Sequence, residues 1–433
     1  MGIPFYFATL IKTHGGIVRS LKGKHQTDIL CFDFNCLIHR YLDENNPIES
    51  ILKAFQMILN DYCQAKIIYV AFDGLVPYAK IVQQRYRRMC EKEVSGNFDR
   101  NQISPGTPYM LELEQFMKSR FPQVIISGTQ EPGEGEHKII QFLQHSQKNK
   151  TITIYGLDAD LILICLQHHK LSVENGMFLL RESSEMGEKE EFAIMDIWKL
   201  FAKLPMDIYQ YIALSIMCFG NDFMPSLGIF SLREDGYNRA LQFYEKSKKP
   251  NLLTNEGRKV FLNYVALEEQ RILKERILLR KRPEEKYILG KDNLFNKRYY
   301  LHILDGVINS EKVVEAYWKT FSWTLEYFTK SSPPNWDWYY PYSDAPLITD
   351  IVKFPQSLIL DRKPLNFSVI NQLQFILPKS SLRKAKKVVK FPDETYTHTR
   401  NPWMKKFEWE MKPRISLPWN PTCSLTSISP LKI

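Results

Sequence analysis

Short hydrophobic segments alternate with amphipathic segments through the first half of the chain. Four runs rich in β-branched residues predict strands: DILCFDF, AKIIYVAFDG, QVIISG and TITIYGLDAD. Apolar residues at helical spacing predict helices between or after them: SILKAFQMILNDYCQ, EGEHKIIQFLQHSQK and DIYQYIALSIMCFG. Strands that alternate with helices in this way predict an α/β fold, with a mostly parallel central sheet flanked by helices.

The alternation stops after Pro225, and the pattern then changes twice. Residues 240–315 are charged and helical in character, and an aromatic-rich pattern follows, through AYWKTFSWTLEYF and NWDWYYPYSDAP. We therefore predict three regions. These are a first domain over residues 1–235, a charged helical spacer over 236–314, and a second helical, aromatic-rich segment over 315–433 that packs on the first domain.

Composition indicates a folded protein with an anionic partner. Hydrophobic residues make up 44% of the chain and charged residues 24%, which is ordinary for a globular protein. Lys and Arg outnumber Asp and Glu by 58 to 48, so the surplus of positive charge favours a polyanion such as nucleic acid, although many basic proteins bind none.

The cysteines and the chain's apolar runs bear on its compartment. Seven cysteines without a CxxC pair indicate reduced core residues rather than disulfides or a zinc site. A secretion signal and an uncharged run of ~20 apolar residues are both missing from the sequence. We therefore expect a monomeric intracellular protein, cytoplasmic or nuclear, without membrane contact.

Seven acidic residues lie at the edges of apolar segments. They are Asp33, Asp73, Glu134, Glu136, Asp158, Asp160 and Asp222. Ionised carboxylates are rarely buried without a partner, and the carboxyl ends of parallel strands meet at one crevice. Hard oxygen ligands in this number suit Mg²⁺ or Mn²⁺, and two such ions support phosphodiester hydrolysis. Taken singly, each acid is at least as well explained as a cap, turn or surface residue.

The two glutamates of the EPGEGEHK motif raise a geometric question. Glu134 and Glu136 flank Gly135, and residues two apart on a regular helix do not face each other. They therefore either lie at the turn into a helix or bind different ions.

A basic face follows Asp73. If the chain is helical from about Pro77, then Lys80, Gln84, Arg87 and Arg88 share one face at positions i, i+4, i+7 and i+8. Cations with an amide suit a terminal phosphate, and arginine offers forked donors. A solvated helix face is the competing explanation; the position directly after Asp73 supports the functional one, and the sequence leaves both open.

Three further residues are candidates for stacking on nucleic-acid bases. They are His39, Trp336 and Trp338. Base stacking on such side chains contributes ~1 to 3 kcal/mol per base. A histidine on an apolar helix and clustered tryptophans are more often core residues, so the pattern leaves both explanations open.

Eight motifs follow one another along the chain: MGIPFYF, FDFNCLIHR, FDGLVPYAKIVQQRYRR, NFDRNQISPGTPYM, EPGEGEHKII, YGLDADLILI, GNDFMP and WDWYYPYSDAP. In sequence and in order these motifs resemble those of the 5′-to-3′ exoribonucleases of the XRN family. The resemblance covers most of residues 1–235 and resumes more loosely over 315–420. The long C-terminal extension of the large family members is missing, so a compact form is expected.

The resemblance implies a fold, an activity and roles for the candidate residues. The fold would be that of PIN and flap nucleases, and the substrate would be single-stranded RNA with a 5′ monophosphate, cut to 5′ mononucleotides with Mg²⁺. The seven acids would be metal ligands, the Lys80 face would hold the 5′ phosphate, and His39 would stack with Trp336 or Trp338 in a pocket completed by the second segment. The alternatives are a flap-type DNA nuclease with the same acids, and an inactive RNA-binding protein of the same fold.

Overall fold

The computed structural model describes residues 2–377 except 44, 91–97, 147, 184–190, 281–288, 290–293, 303, 305–308, 343 and 357, and for residues 86–90, 183, 191, 280 and 302 it describes the backbone alone. The strands are β1 (Val18–Ser20), β2 (His25–Asp33), β3 (Cys63–Ala71), β4 (Ile125–Ser127), β5 (Ile152–Tyr155), β6 (Met177–Ser183) and β7 (Glu191–Asp196). Among the described residues they form one sheet in the order β1-β7-β6-β5-β2-β3-β4.

Helices account for most of the remaining described chain. They are α1 (Tyr6–Thr13), α2 (Phe34–Tyr41), α3 (Pro47–Met57), α4 (Tyr78–Cys90), α5 (Pro108–Arg120), α6 (Gly135–His145), α7 (Asp160–Gln167), α8 (Ile197–Lys203), α9 (Ile208–Phe219), α10 (Gly236–Lys246), α11 (Asn255–Arg280), α12 (Phe295–His302), α13 (Ser310–Lys330), α14 (Ile348–Ile351) and α15 (Val369–Ile376). Single turns of π or 3₁₀ helix occupy Ile58–Tyr62, Arg100–Gln102, His169–Leu171 and Leu232–Glu234.

The sheet is mostly parallel, as the sequence predicts. Strands β6, β5, β2, β3 and β4 run parallel, whereas β7 is antiparallel to both β6 and β1. The four predicted strands correspond to β2, β3, β4 and β5. The sequence analysis missed β1, β6 and β7, and β1 is only three residues long.

Both faces of the sheet are covered by helices. Along β2, Ile29 and Cys31 face one core cluster, to which α1, α6, α7 and α9 contribute, while Leu30 and Phe32 face a second cluster with α2, α3 and α5. A strand buried on both faces must be apolar at successive positions. This explains why DILCF reads as a continuous hydrophobic run.

The order of the strands creates a crevice at the centre of the sheet. From β2 the chain adds β3 and β4 on one side and then crosses back to add β5 and β6 on the other. Such a reversal leaves an opening at the carboxyl ends of the two central strands, β2 and β5. Asp33 is the last residue of β2, and Asp158 lies in the loop that follows β5.

The later helices pack onto the same body. Phe261 of α11 and Trp318 of α13 belong to the main core cluster. A third cluster joins Val76 and Ile81 near the start of α4 to Leu373 of α15. The division at residues 235 and 314 stays a prediction. Every helix within the described ranges is too short or too polar to cross a lipid bilayer.

Candidate active site

The seven acids lie around the crevice, each at the end of an element. Asp33 ends β2, Asp73 follows β3, and Asp158 and Asp160 lie between β5 and the first turn of α7. Glu134 occupies the N-cap position of α6 and Glu136 lies in its first turn, so the two glutamates are at the turn into the helix. Asp222 follows α9.

The carboxylates approach one another closely. Ligand oxygens of Asp33, Asp73 and Glu136 all lie within 4.8 Å of one another, and Glu134, Glu136 and His137 form a second such group. Glu136 belongs to both groups. Hard oxygen donors at this separation fit a divalent cation such as Mg²⁺.

Gly135 permits this approach. A Cβ atom built on Gly135 would lie 2.7 Å from Oδ1 of Asp33, closer than real Cβ atoms come. The backbone N–H of Gly135 also donates to Oδ1 of Asp73 at 2.8 Å, and Nδ2 of Asn35 donates to Oδ2 of Asp73 at 2.9 Å. Asp73 is therefore oriented by two donors, one from the start of α6 and one from α2.

Lys80 is buried among the acids. Its Nζ lies 2.6 Å from Oε2 of Glu134 and 2.9 Å from Oδ2 of Asp222. Oε1 of Glu134 accepts a hydrogen bond from the hydroxyl of Tyr327 on α13 at 2.9 Å. Lys80 therefore does not lie on a solvated helix face, which was the competing explanation for the basic pattern.

Burial and mutual repulsion raise the pKa values of the carboxyl groups. Burial, with the charges of Asp73 and Asp158, raises the pKa of Asp33 to about 8. Burial, with Asp222 and Asp158, raises the pKa of Asp160 to about 7. The pKa of Glu136 is raised well above its ordinary value by burial and by Glu134. A metal ion bound among these carboxyl groups would supply positive charge, which stabilises their ionised form and lowers their raised pKa values.

A cavity of about 460 Å³ opens at the site. Four of the acids line it, together with side chains from α2 and α4: Asp33, Asp73, Glu136, Asp158, Asn35, Cys36, His39, Arg40, Lys80 and Gln84. The predicted helix after Pro77 is present as α4, and it brings Lys80 and Gln84 to the cavity. The side chains of Arg87 and Arg88 lie outside the described residues.

Gln84 is held by a neighbouring helix. Its Oε1 accepts from Nε2 of Gln372 on α15 at 3.2 Å, and Oε1 of Gln372 accepts from the backbone N–H of Val76 at 3.1 Å. The glutamine pair joins the second segment of the chain to the start of α4.

The three stacking candidates have different surroundings. His39 is exposed and lines the cavity. Nε1 of Trp338 donates to Oγ1 of Thr320 at 3.1 Å, and its ring packs on the main core. Trp336 packs edge-on to Phe367 at 6.2 Å, and its carbonyl accepts from the N–H of Tyr78 at 2.8 Å, at the start of α4.

Several residues at the site escaped the sequence analysis. Tyr327 binds Glu134 from 193 residues away, and its ring stacks on His137 with centroids 3.7 Å apart. Burial and Lys80 lower the pKa of His137 well below its ordinary value, so the stacked ring is neutral. Sγ of Cys36 donates to Oδ2 of Asp33 at 2.9 Å. Asn35 and Cys36 lie in the FDFNCLIHR motif, whereas no sequence signal distinguishes Tyr327 from the other aromatic residues of α13.

Two family models match the chain. The model described as "XRN 5'-3' exonuclease N-terminus" matches residues 1–95 and 89–183, and "Xrn1 helical domain" matches residues 280–389. Together the matched regions cover more than half of the chain, which therefore belongs to the XRN family of 5′-to-3′ exonucleases.

Relatives with assigned names agree with the family models. The chain is 29% identical to 5'-3' exoribonuclease 1 of Saccharomyces cerevisiae over 57% of this chain and 21% of that protein. It is 24% identical to 5'-3' exoribonuclease 1 of Homo sapiens, an alignment that covers 88% of this chain and 31% of that protein. The chain thus spans less than a third of the length of these two relatives.

Solved structures show a more distant likeness. The catalytic core of Rad2 in complex with a DNA substrate superposes with a TM-score of 0.39 at 16% sequence identity, covering 77% of this chain and 96% of that one. A likeness of this degree carries no information on the substrate of the present chain.

Proposed function

We propose that this protein is a 5′-to-3′ exoribonuclease that hydrolyses single-stranded RNA with a 5′ monophosphate to 5′ mononucleotides, using two Mg²⁺ ions, for which Mn²⁺ can substitute. The observation that supports the proposal is that Lys80, at the start of α4, contacts buried carboxylates at the crevice in the centre of the sheet. We propose that the enzyme acts as a monomer inside the cell, in the cytoplasm or the nucleus.

The carboxylates would hold the ions. Asp33, Asp73 and Glu136 share one group of oxygens, and Glu134, Asp158, Asp160 and Asp222 complete the proposed ligand set. Divalent cations bound at such a site supply an activated water and neutralise charge on the leaving oxygen. Asn35 and the N–H of Gly135 keep the Asp73 carboxylate turned toward the cavity.

The basic face of α4 would select the RNA end. Lys80 and Gln84 line the same cavity as Asp33 and Asp158, so a 5′ phosphate bound by them would lie beside the acids. Arg87 and Arg88, both about one turn beyond Gln84 in the helix pattern, are proposed to complete this phosphate site. Because the phosphate site adjoins the acids, the first phosphodiester bond would reach the carboxylates and the enzyme would remove one nucleotide at a time.

Base contacts would hold the first nucleotides in line. His39 is exposed beside the acids and is proposed to stack on a base. Trp336 is the better of the two tryptophan candidates. Its backbone carbonyl accepts a hydrogen bond from the start of α4, whereas the indole N–H of Trp338 donates to Thr320.

The decisive experiment compares RNA ends. Purified protein is given the same single-stranded RNA with a 5′ monophosphate, a 5′ triphosphate or a 5′ hydroxyl, with Mg²⁺ or with a chelator. We expect rapid release of mononucleotides from the monophosphate substrate alone, and only with Mg²⁺. Equal digestion of all three ends would reject the phosphate site.

Matched variants and a second substrate complete the test. Asp160→Asn should abolish cleavage and leave the protein folded, whereas Asp61→Asn, at an exposed acid, should cleave normally. Cleavage by Asp160→Asn at the wild-type rate would refute the metal-ligand assignment. Preference for a DNA flap would favour the flap-nuclease alternative, and salt-sensitive RNA binding without hydrolysis would favour the inactive one.

A further inference from the structure

Asp33 and Arg181 lie in the same row of the sheet. In the registers of the parallel strands, Phe32 of β2 pairs with Tyr155 of β5, and Tyr155 pairs with Leu180 of β6. The residues that follow these three are Asp33, Gly156 and Arg181, and they therefore form the next row across the sheet. Neighbouring strands are about 4.8 Å apart, so two strand spacings, roughly 10 Å, separate the backbones of Asp33 and Arg181.

The two side chains project from the same face of the sheet. Cys31 of β2 and Leu179 of β6 both belong to the main core cluster, and side chains two residues further on along a strand point the same way. Gly156, which lies between them, has no side chain. A Cβ atom there would lie 2.4 Å from Cδ2 of Leu161, so a side chain at this position would have to displace Leu161. No side chain from β5 therefore stands between Asp33 and Arg181 in this row.

Arg181 contacts the loop that carries Asp158. One guanidinium N–H donates to the carbonyl of Leu157 at 3.4 Å, and the guanidinium carbon lies 3.6 Å from the ring centroid of Phe7 on α1. Its Nε is buried and has no hydrogen-bond acceptor among the described residues. A buried donor without an acceptor is costly, which is consistent with an acceptor that arrives with a ligand.

The adjacent residue, Glu182, does not supply the acceptor that Arg181 lacks. Glu182 projects from the other face of the sheet, where its Oε1 accepts from the hydroxyl of Tyr155 at 2.7 Å. Arg181 is half-buried, and Leu157, whose carbonyl it contacts, lines the cavity. Arginine with free N–H groups beside a catalytic crevice suits a phosphate oxygen.

We propose that Arg181 binds a phosphate of the RNA on the 3′ side of the bond that is cut. The proposal rests on the proposed exoribonuclease function. The phosphate site on α4 follows β3, on one side of the acids, and Arg181 on β6 lies on the other side. The substrate therefore crosses the carboxyl ends of the strands from β3 to β6, with its 5′ end at α4 and its remaining chain over Arg181.

The test compares RNAs of different length. Arg181→Met removes the charge and keeps an apolar stem against Phe7. On a 5′-phosphorylated dinucleotide we expect the variant to match wild type within twofold, because this substrate has no phosphate beyond the scissile one. On a 5′-phosphorylated ten-nucleotide RNA we expect kcat/KM to fall roughly tenfold or more, as for loss of a charged hydrogen bond. Arg181→Lys should recover part of the loss.

A binding measurement adds a readout that a structural role would not change. In the cleavage-inactive Asp160→Asn protein, Arg181→Met should lower the slope of log affinity against log salt for the ten-nucleotide RNA by about one. Arg271→Met, which removes an exposed arginine of α11 that does not line the cavity, should leave cleavage and the slope unchanged.

Three results would overturn the assignment of Arg181. They are an equal loss on both RNA lengths, no loss on either, and an unchanged salt slope. Failure of wild-type protein to cleave any 5′-phosphorylated RNA would instead refute the proposed function, so the two failures are distinguishable.

Discussion

Nζ of Lys80 lies 2.9 Å from Oδ2 of Asp222, a residue 142 positions later in the chain. Both side chains are buried, and the same Nζ contacts Glu134 at 2.6 Å. A buried cation between two carboxylates offsets part of the repulsion within a group of acids that must come together on folding. Lys80 therefore stabilises the acidic cluster as well as lining the cavity.

Replacing Lys80 should destabilise the protein in a way that metal reverses. Lys80→Met leaves Glu134 and Asp222 without their buried cation, so we expect the free energy of unfolding in chelator to fall by about 3–5 kcal/mol. Mg²⁺ should recover a large part of the loss. Urea unfolding with and without Mg²⁺ measures both effects.

Lys66→Met is the matched control, because Lys66 is exposed and pairs with Asp28 at the surface. Its loss should change the free energy of unfolding by at most about 1 kcal/mol. If the two lysine variants were equally stable in chelator, the role given to Lys80 within the cluster would be wrong.

Tyr327 should set the metal requirement. Tyr327→Phe removes the hydrogen bond to Glu134 and keeps the ring against His137. Residues that orient metal ligands typically contribute ~10-fold or more to affinity, so the Mg²⁺ concentration for half-maximal cleavage should rise about tenfold. Titration of cleavage rate against Mg²⁺ measures this.

Tyr317→Phe provides the control on the same helix. The hydroxyl of Tyr317 donates to the carbonyl of Met217 rather than to one of the seven acids. This variant should lose some stability and keep the wild-type Mg²⁺ requirement. An identical requirement in both tyrosine variants would contradict the role of Tyr327.

Substitutions of the two tryptophans of the WDW motif should have different effects, one on RNA affinity and the other on the free energy of unfolding. Trp336→Leu is expected to weaken RNA binding by ~1 to 3 kcal/mol, since it removes a stacking surface, in addition to the stability lost with its packing on Phe367. Trp338→Leu is expected to lower the free energy of unfolding by about 2–3 kcal/mol, because it removes core packing and the bond to Thr320. Fluorescence anisotropy in the Asp160→Asn background and urea unfolding measure the two effects, and the reverse pattern would exchange the roles.

Glu269 should make stability depend on pH. On α11 it accepts hydrogen bonds from the N–H groups of Ile348 and Thr349, at 2.6 and 2.9 Å, where α14 begins. Burial raises the pKa of Glu269 to about 7, although these two bonds lower it. The folded-state pKa lies above the unfolded one, so the contribution to stability is complete below about pH 4.5 and is lost as pH rises through 7.

The variant Glu269→Gln is neutral at every pH, but its amide nitrogen cannot accept a hydrogen bond, so one of the two N–H groups loses its acceptor. We therefore expect it to be less stable than wild type near pH 5 by about 1–3 kcal/mol, and to lack the wild-type loss of roughly 2–3 kcal/mol between pH 5 and pH 8.5, measured by urea unfolding at the two pH values. Glu245→Gln, at an exposed residue of α10, should leave the pH dependence unchanged. A Glu269→Gln protein with the wild-type pH slope would contradict the assignment.

Sequence reasoning predicted those parts of the site that depend on strand ends. Asp33 and Asp73 follow apolar runs, and the carboxyl ends of parallel strands meet at one edge, so their proximity follows from the pattern alone. The turn at Glu134 and Gly135 was one of two alternatives left open, and the hydrogen bond from Gly135 to Asp73 belongs to that turn. The charged segment MFLLRES did not show a strand pattern, because charged residues interrupt β6 near its end.

The sequence by itself determined the α/β fold, the positions of the seven acids and the helix that carries Lys80, because these depend on local periodicity and on residue type. Only the tertiary structure decided that Lys80 turns inward to Glu134 and Asp222, that Tyr327 binds Glu134, and that Arg181 lies in the row of Asp33. Each of these contacts joins residues that are far apart in the chain, and the order of the strands and the packing of helices across the sheet bring them together. Local sequence patterns do not identify such contacts, because many side chains of the same type fit the same pattern.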